Sequence, residues 1–138
     1  MAMVVVVDDE QSNREAVRRV LRRAGHDVFL AENGEEGLRL LNEKKPHLLI
    51  TDLKMPKLNG MELLKSTKQL QPELDVIVMS AYGSVESAVD AMKEGAWDFI
   101  SKPLHRDELL HSVRTALEKQ DIHQENRQLK KKIANLMN

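Results

Sequence analysis

Val4-Val5-Val6-Val7-Asp8-Asp9-Glu10 is a run of four β-branched residues that ends abruptly in three acids. A strand that is apolar at every position buries both of its faces, as strands do in a parallel sheet covered by helices. Leu48-Leu49-Ile50-Thr51 and Val76-Ile77-Val78-Met79 repeat the pattern, and Val28-Phe29-Leu30 and Asp98-Phe99-Ile100-Ser101 are weaker versions of it. Helical stripes fill the gaps. Ser12 with Glu15 reads as a capping box ahead of Val17, Val20, Leu21 and Ala24, and Gly25 ends that stripe. Asn33 with Glu36 precedes Leu38 and Leu41, and Asn59 with Glu62 precedes Leu63, Leu64 and Leu70. Val85, Ala88, Val89 and Met92 form a fourth stripe, stopped by Gly95, and Leu109, Leu110, Val113, Ala116 and Leu117 form a fifth. Five β-α units in succession predict an α/β fold, a doubly wound five-stranded parallel sheet with five helices and right-handed crossovers.

Composition narrows the function. The chain has 138 residues, enough for one domain, and its 41% apolar and 31% charged residues describe a folded globular protein. A net charge of -1 gives no electrostatic footprint for nucleic-acid binding. The absence of cysteine excludes disulfides and thiolate metal sites. No apolar run fits a signal peptide or a membrane span, so a cytoplasmic protein is expected.

Ligands of doubly wound sheets bind beyond the carboxyl ends of the strands. Those ends carry Asp8-Asp9-Glu10, Asp52, Ser80 followed by Ala81, and Lys102 followed by Pro103. Crowded carboxylates resist ionisation unless a cation sits among them. An all-oxygen donor set suits a hard ion such as Mg2+. A lysine and a hydroxyl beside the acids complete the parts of a phosphoryl site: an aspartate nucleophile, a metal, a cation and a hydrogen-bond donor. Singly, each residue has a plainer role, an Asp as a helix cap or turn residue and Lys102 as a surface cation. Four such signals at four ends of one sheet favour the site.

Val7-Asp8-Asp9-Glu10, Thr51-Asp52-Leu53-Lys54-Met55-Pro56 with Asn59-Gly60, Ser80-Ala81 and Lys102-Pro103, in that order, resemble the receiver domain of bacterial two-component response regulators over about residues 3 to 118. The resemblance implies a flavodoxin-like strand order 2-1-3-4-5. It implies that Asp52 accepts a phosphoryl group from a sensor histidine kinase. Mg2+ would be held by Asp9 directly, by Asp8 mainly through water, by Asp52 and by the backbone carbonyl of Lys54. Ser80, Ala81 and Lys102 would contact the phosphoryl group. Lys102-Pro103 would be a cis peptide. Phe99, three residues before Lys102, would be the aromatic switch that moves with Ser80; plain core packing is its alternative. Movement of Ser80 would shift Ala81-Tyr82-Gly83-Ser84, making the fourth helix, fifth strand and fifth helix the output face.

Residues 80 to 99, from Ser80-Ala81-Tyr82-Gly83 to Trp97-Asp98-Phe99, resemble receivers of NtrC-type activators of sigma54-dependent transcription, which carry AAA+ and DNA-binding domains downstream. Neither domain nor a Walker-type loop is present here, so a receiver domain at 1–118 with a helical linker at 119–138 is expected. Ile122, Asn126, Leu129, Ile133 and Leu136 are spaced 4, 3, 4, 3, an a/d seam with Asn126 and Ile133 at a. Glu125 at g and Lys130 at the following e would attract each other across a parallel homodimer. A solvated amphipathic tail is the alternative.

Three rival functions are weaker. A Mg2+-dependent phosphatase would need an acid two residues after the nucleophile, where Lys54 stands. The chain is therefore not expected to be an enzyme, slow self-dephosphorylation apart. A flavin carrier would need a phosphate loop where Asp8-Asp9-Glu10 stands. A phosphorylation-independent interaction and dimerisation domain is the remaining alternative.

Overall fold

The computed structural model describes residues 2–55, 58–81 and 85–137. Strands and helices alternate as β1 (Met3–Val7), α1 (Gln11–Arg23), β2 (Asp27–Ala31), α2 (Gly34–Lys44), β3 (Leu48–Asp52), α3 (Gly60–Leu70), β4 (Asp75–Ser80), α4 (Val85–Lys93), β5 (Asp98–Ser101) and α5 (Arg106–Met137). The sheet is parallel throughout, in the order β2-β1-β3-β4-β5. Val7 pairs with Ala31 and Thr51, Asp52 with Met79, and Ser80 with Ser101, so the chemically active strand ends meet at one edge.

Each strand feeds two cores because side chains alternate across the pleat. On one face Val4, Val6, Ile50, Ile77 and Ile100 meet Val17 and Leu21 of α1 and Leu109, Val113 and Ala116 of α5. On the other, Val5, Val7, Leu49, Val76 and Val78 meet Leu40 and Leu41 of α2, Leu63 and Leu64 of α3 and Ala91 of α4. Double coverage explains the unbroken apolar runs.

Local signals explain four helix ends. Asn33 Oδ1 accepts from the Glu36 N–H at 2.9 Å, and Asn59 Oδ1 from the Glu62 N–H at 2.9 Å, while Asn59 Nδ2 donates to Glu62 Oε1 at 2.8 Å. Gly25 and Gly95 end α1 and α4 at φ 93° and 101°, where L side chains are strained.

Three expectations need correction. Ser12 is not a cap: α1 starts at Gln11 with Glu10 at the N-cap position and no side-chain cap bond. Asp8 Oδ1 accepts the Glu10 N–H at 3.0 Å, which starts the helix before Ser12. Leu70, the last residue of α3, is 64% exposed, and the buried stripe ends at Thr67. On α4, Val85, Val89 and Met92 face solvent and Ala91 alone is buried; the apolar stripe is real but turned away from the sheet. Helix α5 crosses Glu118 without a break. Among the described residues no helix is long and apolar enough to cross a membrane.

Candidate functional site

Parallel pairing delivers Asp8 and Asp52 as neighbours at the carboxyl ends of β1 and β3. Lys102, one residue past β5, reaches both: its Nζ donates to Asp8 Oδ2 at 2.8 Å and to Asp52 Oδ2 at 3.1 Å. All three side chains are nearly buried, so their charges act in a poorly screened setting. Asp9 is exposed, yet it offers an oxygen within 4.8 Å of oxygens of Asp8 and Asp52. The Leu53 N–H donates to Asp52 Oδ1 at 2.7 Å, which fixes the carboxylate plane.

Three acids and one lysine leave the cluster with excess negative charge. The donors are hard oxygens, one of them solvent-facing, which fits a Mg2+ ion that keeps several waters. The electrostatics agree. Burial pushes the Asp52 carboxyl above its ordinary value and the Asp8 charge adds to this, against the Lys102 ammonium and the Leu53 N–H. Burial alone would lower the Lys102 ammonium, but its hydrogen bonds and charge pairing with Asp8 and Asp52 prevail and raise it.

Ser80 is buried at the end of β4, one residue past the partner of Asp52, and its carbonyl accepts the Lys102 N–H at 2.9 Å. The main chain of Lys102 is thus pinned to the residue expected to sense the phosphoryl group. Ala81 lies exposed in the following turn, and Lys54 is exposed just after β3. Lys102-Pro103 is cis. Phe99 is half-buried against the core on the α2, α3 and α4 side. Pro56, Tyr82, Gly83 and Ser84, which entered the sequence reading, lie outside the described residues.

Gly60 holds the acidic strand end in place. It opens α3 directly against β3, donating its N–H to the Leu53 carbonyl at 2.8 Å, and any Cβ there would overlap the main-chain oxygen of Asp52. Gly60→Ala should therefore cost about 2 kcal/mol and weaken metal binding together with stability. Urea denaturation with and without Mg2+ measures both.

Sequence reasoning missed Arg14. Its side chain is 11% exposed, and Nη1 donates to the Asp8 carbonyl at 2.7 Å, tying the acidic loop to α1. Five arginines stand in α1, and the one signal that sets Arg14 apart is its place a single turn after Glu10.

The fold and this edge define a class, and comparison agrees. Residues 4–114 match the family model of the response regulator receiver domain, and the chain belongs to that family. Its relatives make it a receiver of the NtrC type. It is 41% identical over 115 residues to the DNA-binding transcriptional regulator NtrC of Escherichia coli K12, covering 83% of this chain and 24% of the relative. It is 38% identical over 117 residues to the transcriptional regulatory protein GlrR of the same organism, covering 85% and 26%. The chain thus spans about a quarter of the length of these curated relatives. The crystal structure of NtrX from Brucella abortus with ADP superposes with a TM-score of 0.87 at 35% identity, over 93% of this chain and 30% of that one. A receiver domain protein from Clostridium thermocellum superposes with a TM-score of 0.84 at 33% identity, over 88% and 98%.

Proposed function

We propose that this chain is a phosphorylation-driven switch, in which Asp52 takes a phosphoryl group from a sensor histidine kinase as an acyl phosphate. The observation that carries the reading is the contact of Lys102 Nζ with both Asp8 and Asp52 beside a third carboxylate. Asp52 Oδ2 attacks phosphorus in line, and the bond from phosphorus to the kinase histidine breaks. Lys102 turns from the carboxylates to the phosphoryl oxygens, where negative charge gathers. Ser80 donates its hydroxyl to the same group, with the main-chain N–H of Ala81 beside it. Asp8, Asp9, Asp52 and the Lys54 carbonyl would hold Mg2+, which supplies charge neutralisation when bound. The only turnover proposed is slow hydrolysis of the acyl phosphate.

Output runs through Ser80 and Phe99. Motion of Ser80 toward the phosphoryl group biases a pre-existing equilibrium at the α4, β5 and α5 face. The exposed stripe of Val85, Val89 and Met92 on α4 supplies apolar surface for that output. Incubation with acetyl phosphate and Mg2+ should add one phosphoryl mass that hydroxylamine removes. Failure to label would leave the phosphorylation-independent interaction domain as the better reading.

The α5 extension is read as a dimer linker. Ile122, Leu129, Ile133 and Leu136 are each more than half exposed on a continuous helix. A second copy laid parallel would bury them around Asn126, with Glu125 facing Lys130. In a full-length regulator this linker leads to AAA+ and DNA-binding domains, whose sigma54-dependent output the receiver controls. Removing residues after Glu118 should turn a dimer into a monomer in sedimentation equilibrium; equal masses before and after would refute the linker reading.

A further inference from the structure

Asp75 opens β4 at the edge of the sheet opposite the acidic site, and it is 3% exposed. Neither the phosphoryl chemistry nor the seam uses it. Both of its oxygens are taken by α5: Lys119 Nζ donates to Oδ1 at 2.6 Å, and Gln120 Nε2 donates to Oδ2 at 2.8 Å. Gln120 Nε2 also donates to the His47 carbonyl at 2.8 Å, ahead of β3. Lys119 Nζ stands 4.5 Å above the ring of Trp97, whose Nε1 donates to the Ser112 carbonyl at 3.2 Å. Past this knot the helix leaves the body. A cleft of about 700 Å³ opens beneath it, lined in part by Glu73, His123 and Arg127, and an Arg127–Glu73 pair spans the gap at the surface.

At 3.6 residues per turn, the side of α5 that carries Ala116, Gln120 and Arg127 lies roughly 160° around the helix from the side that carries Ile122, Leu129 and Leu136. The extension has two faces, one tied to its own receiver and one open.

We propose that Asp75 is a positioning residue that anchors α5 at Lys119 and Gln120, setting the rotation and exit direction of the helix and hence the direction in which its apolar seam meets a second copy of this chain. The charge pairing explains why a carboxylate is buried there: an ionised group out of water demands partners, and among the described residues α5 supplies the hydrogen-bond donors to both oxygens, with the Lys68 ammonium of α3 as a further positive charge beside them. The part played by the second copy rests on the dimer reading above; the anchor does not.

The chain has no cysteine, so Arg23→Cys and Lys131→Cys, both at exposed positions, take a pair of spin labels. Labelled protein diluted in excess unlabelled chain reports only the distance within one chain. Dipolar spectroscopy should give a narrow distribution that broadens about twofold in Asp75→Asn and in Lys119→Ala with Gln120→Ala, as a clamped segment becomes locally free. Trp97 emission should change in step as Lys119 leaves its ring, while beryllofluoride binding at the opposite edge stays intact. A distribution that remains narrow in both variants overturns the anchor and assigns the exit direction to the Leu109, Val113 and Ala116 packing and the Arg127–Glu73 pair. A broadened distribution in a chain that is monomeric at every concentration keeps the anchor and rejects the dimer reading.

Discussion

Asp52→Asn should take up no phosphoryl group and no beryllofluoride, yet should melt roughly 2–5 °C above the parent in metal-free buffer near neutral pH. The two effects have one cause. Asp52 is ionised in a place that resists ionisation, through burial first and the Asp8 charge second. Its folded pKa lies above its ordinary value of 3.8, so the folded state binds more protons than the unfolded one between the two values. Its contribution therefore favours folding at low pH and is lost as pH rises through the raised value. At neutral pH the ionised carboxylate is a net cost that asparagine removes. Mg2+ offsets the same cost in the parent, so the gain in melting temperature from Mg2+ should shrink as pH falls through the raised value, where protons compete with the metal. Calorimetry at about pH 5 and about pH 8, with and without Mg2+, measures this. An Asp52→Asn chain that melts below the parent in the absence of metal would show that Asp52 is a structural carboxylate.

Lys102→Met should have the larger effect on stability. It leaves Asp8 and Asp52 facing each other without their shared cation, and breaking a buried ion pair from one side costs about 3 kcal/mol, or roughly 10 °C in melting temperature for a domain of this size. Labelling by acetyl phosphate should fall about a hundredfold, because the cation that meets the developing phosphoryl charge is gone. The folded pKa of Lys102 is raised, so its stabilisation is complete below the ordinary lysine value of 10.5 and is lost only as pH climbs through the raised one. The penalty should therefore be flat across neutral pH. Combining Lys102→Met with Asp52→Asn should recover more than half of the lost stability, since removal of one carboxylate relieves the repulsion that the first change exposes. Additive losses in the double variant would mean that the three groups do not act together.

The sequence carried the sheet almost whole because parallel strands buried on both faces are written as unbroken apolar runs. Three strand ends were legible for the same reason: Asp8, Asp52 and Ser80 each interrupt such a run, and Lys102 follows the weaker β5. The helices were harder. Asn33 and Asn59 announced true caps, whereas Ser12 with Glu15 wrote the same signature two residues too far in, because Asp8 had already bound the Glu10 N–H. The α4 stripe was legible as a stripe but not in its direction. Periodicity gives an apolar face and is silent on whether sheet or solvent receives it. Arg14 and Asp75 were hidden because their partners are main-chain carbonyls or residues distant in the chain, and no local pattern encodes those meetings.

The most direct test of the phosphoryl switch is a titration of the intact chain with beryllofluoride and Mg2+, followed by fluorine NMR of the bound anion and by amide shifts. Trp97, just before β5 and against Ser112 and Lys119, reports on α5 rather than on the site. The expected result is one bound anion that requires Mg2+, vanishes in Asp52→Asn, and moves amides around Ser80, Phe99 and α4 as well as those next to Asp52. Binding without Mg2+, binding that survives Asp52→Asn, or shifts confined to the acidic edge would contradict it.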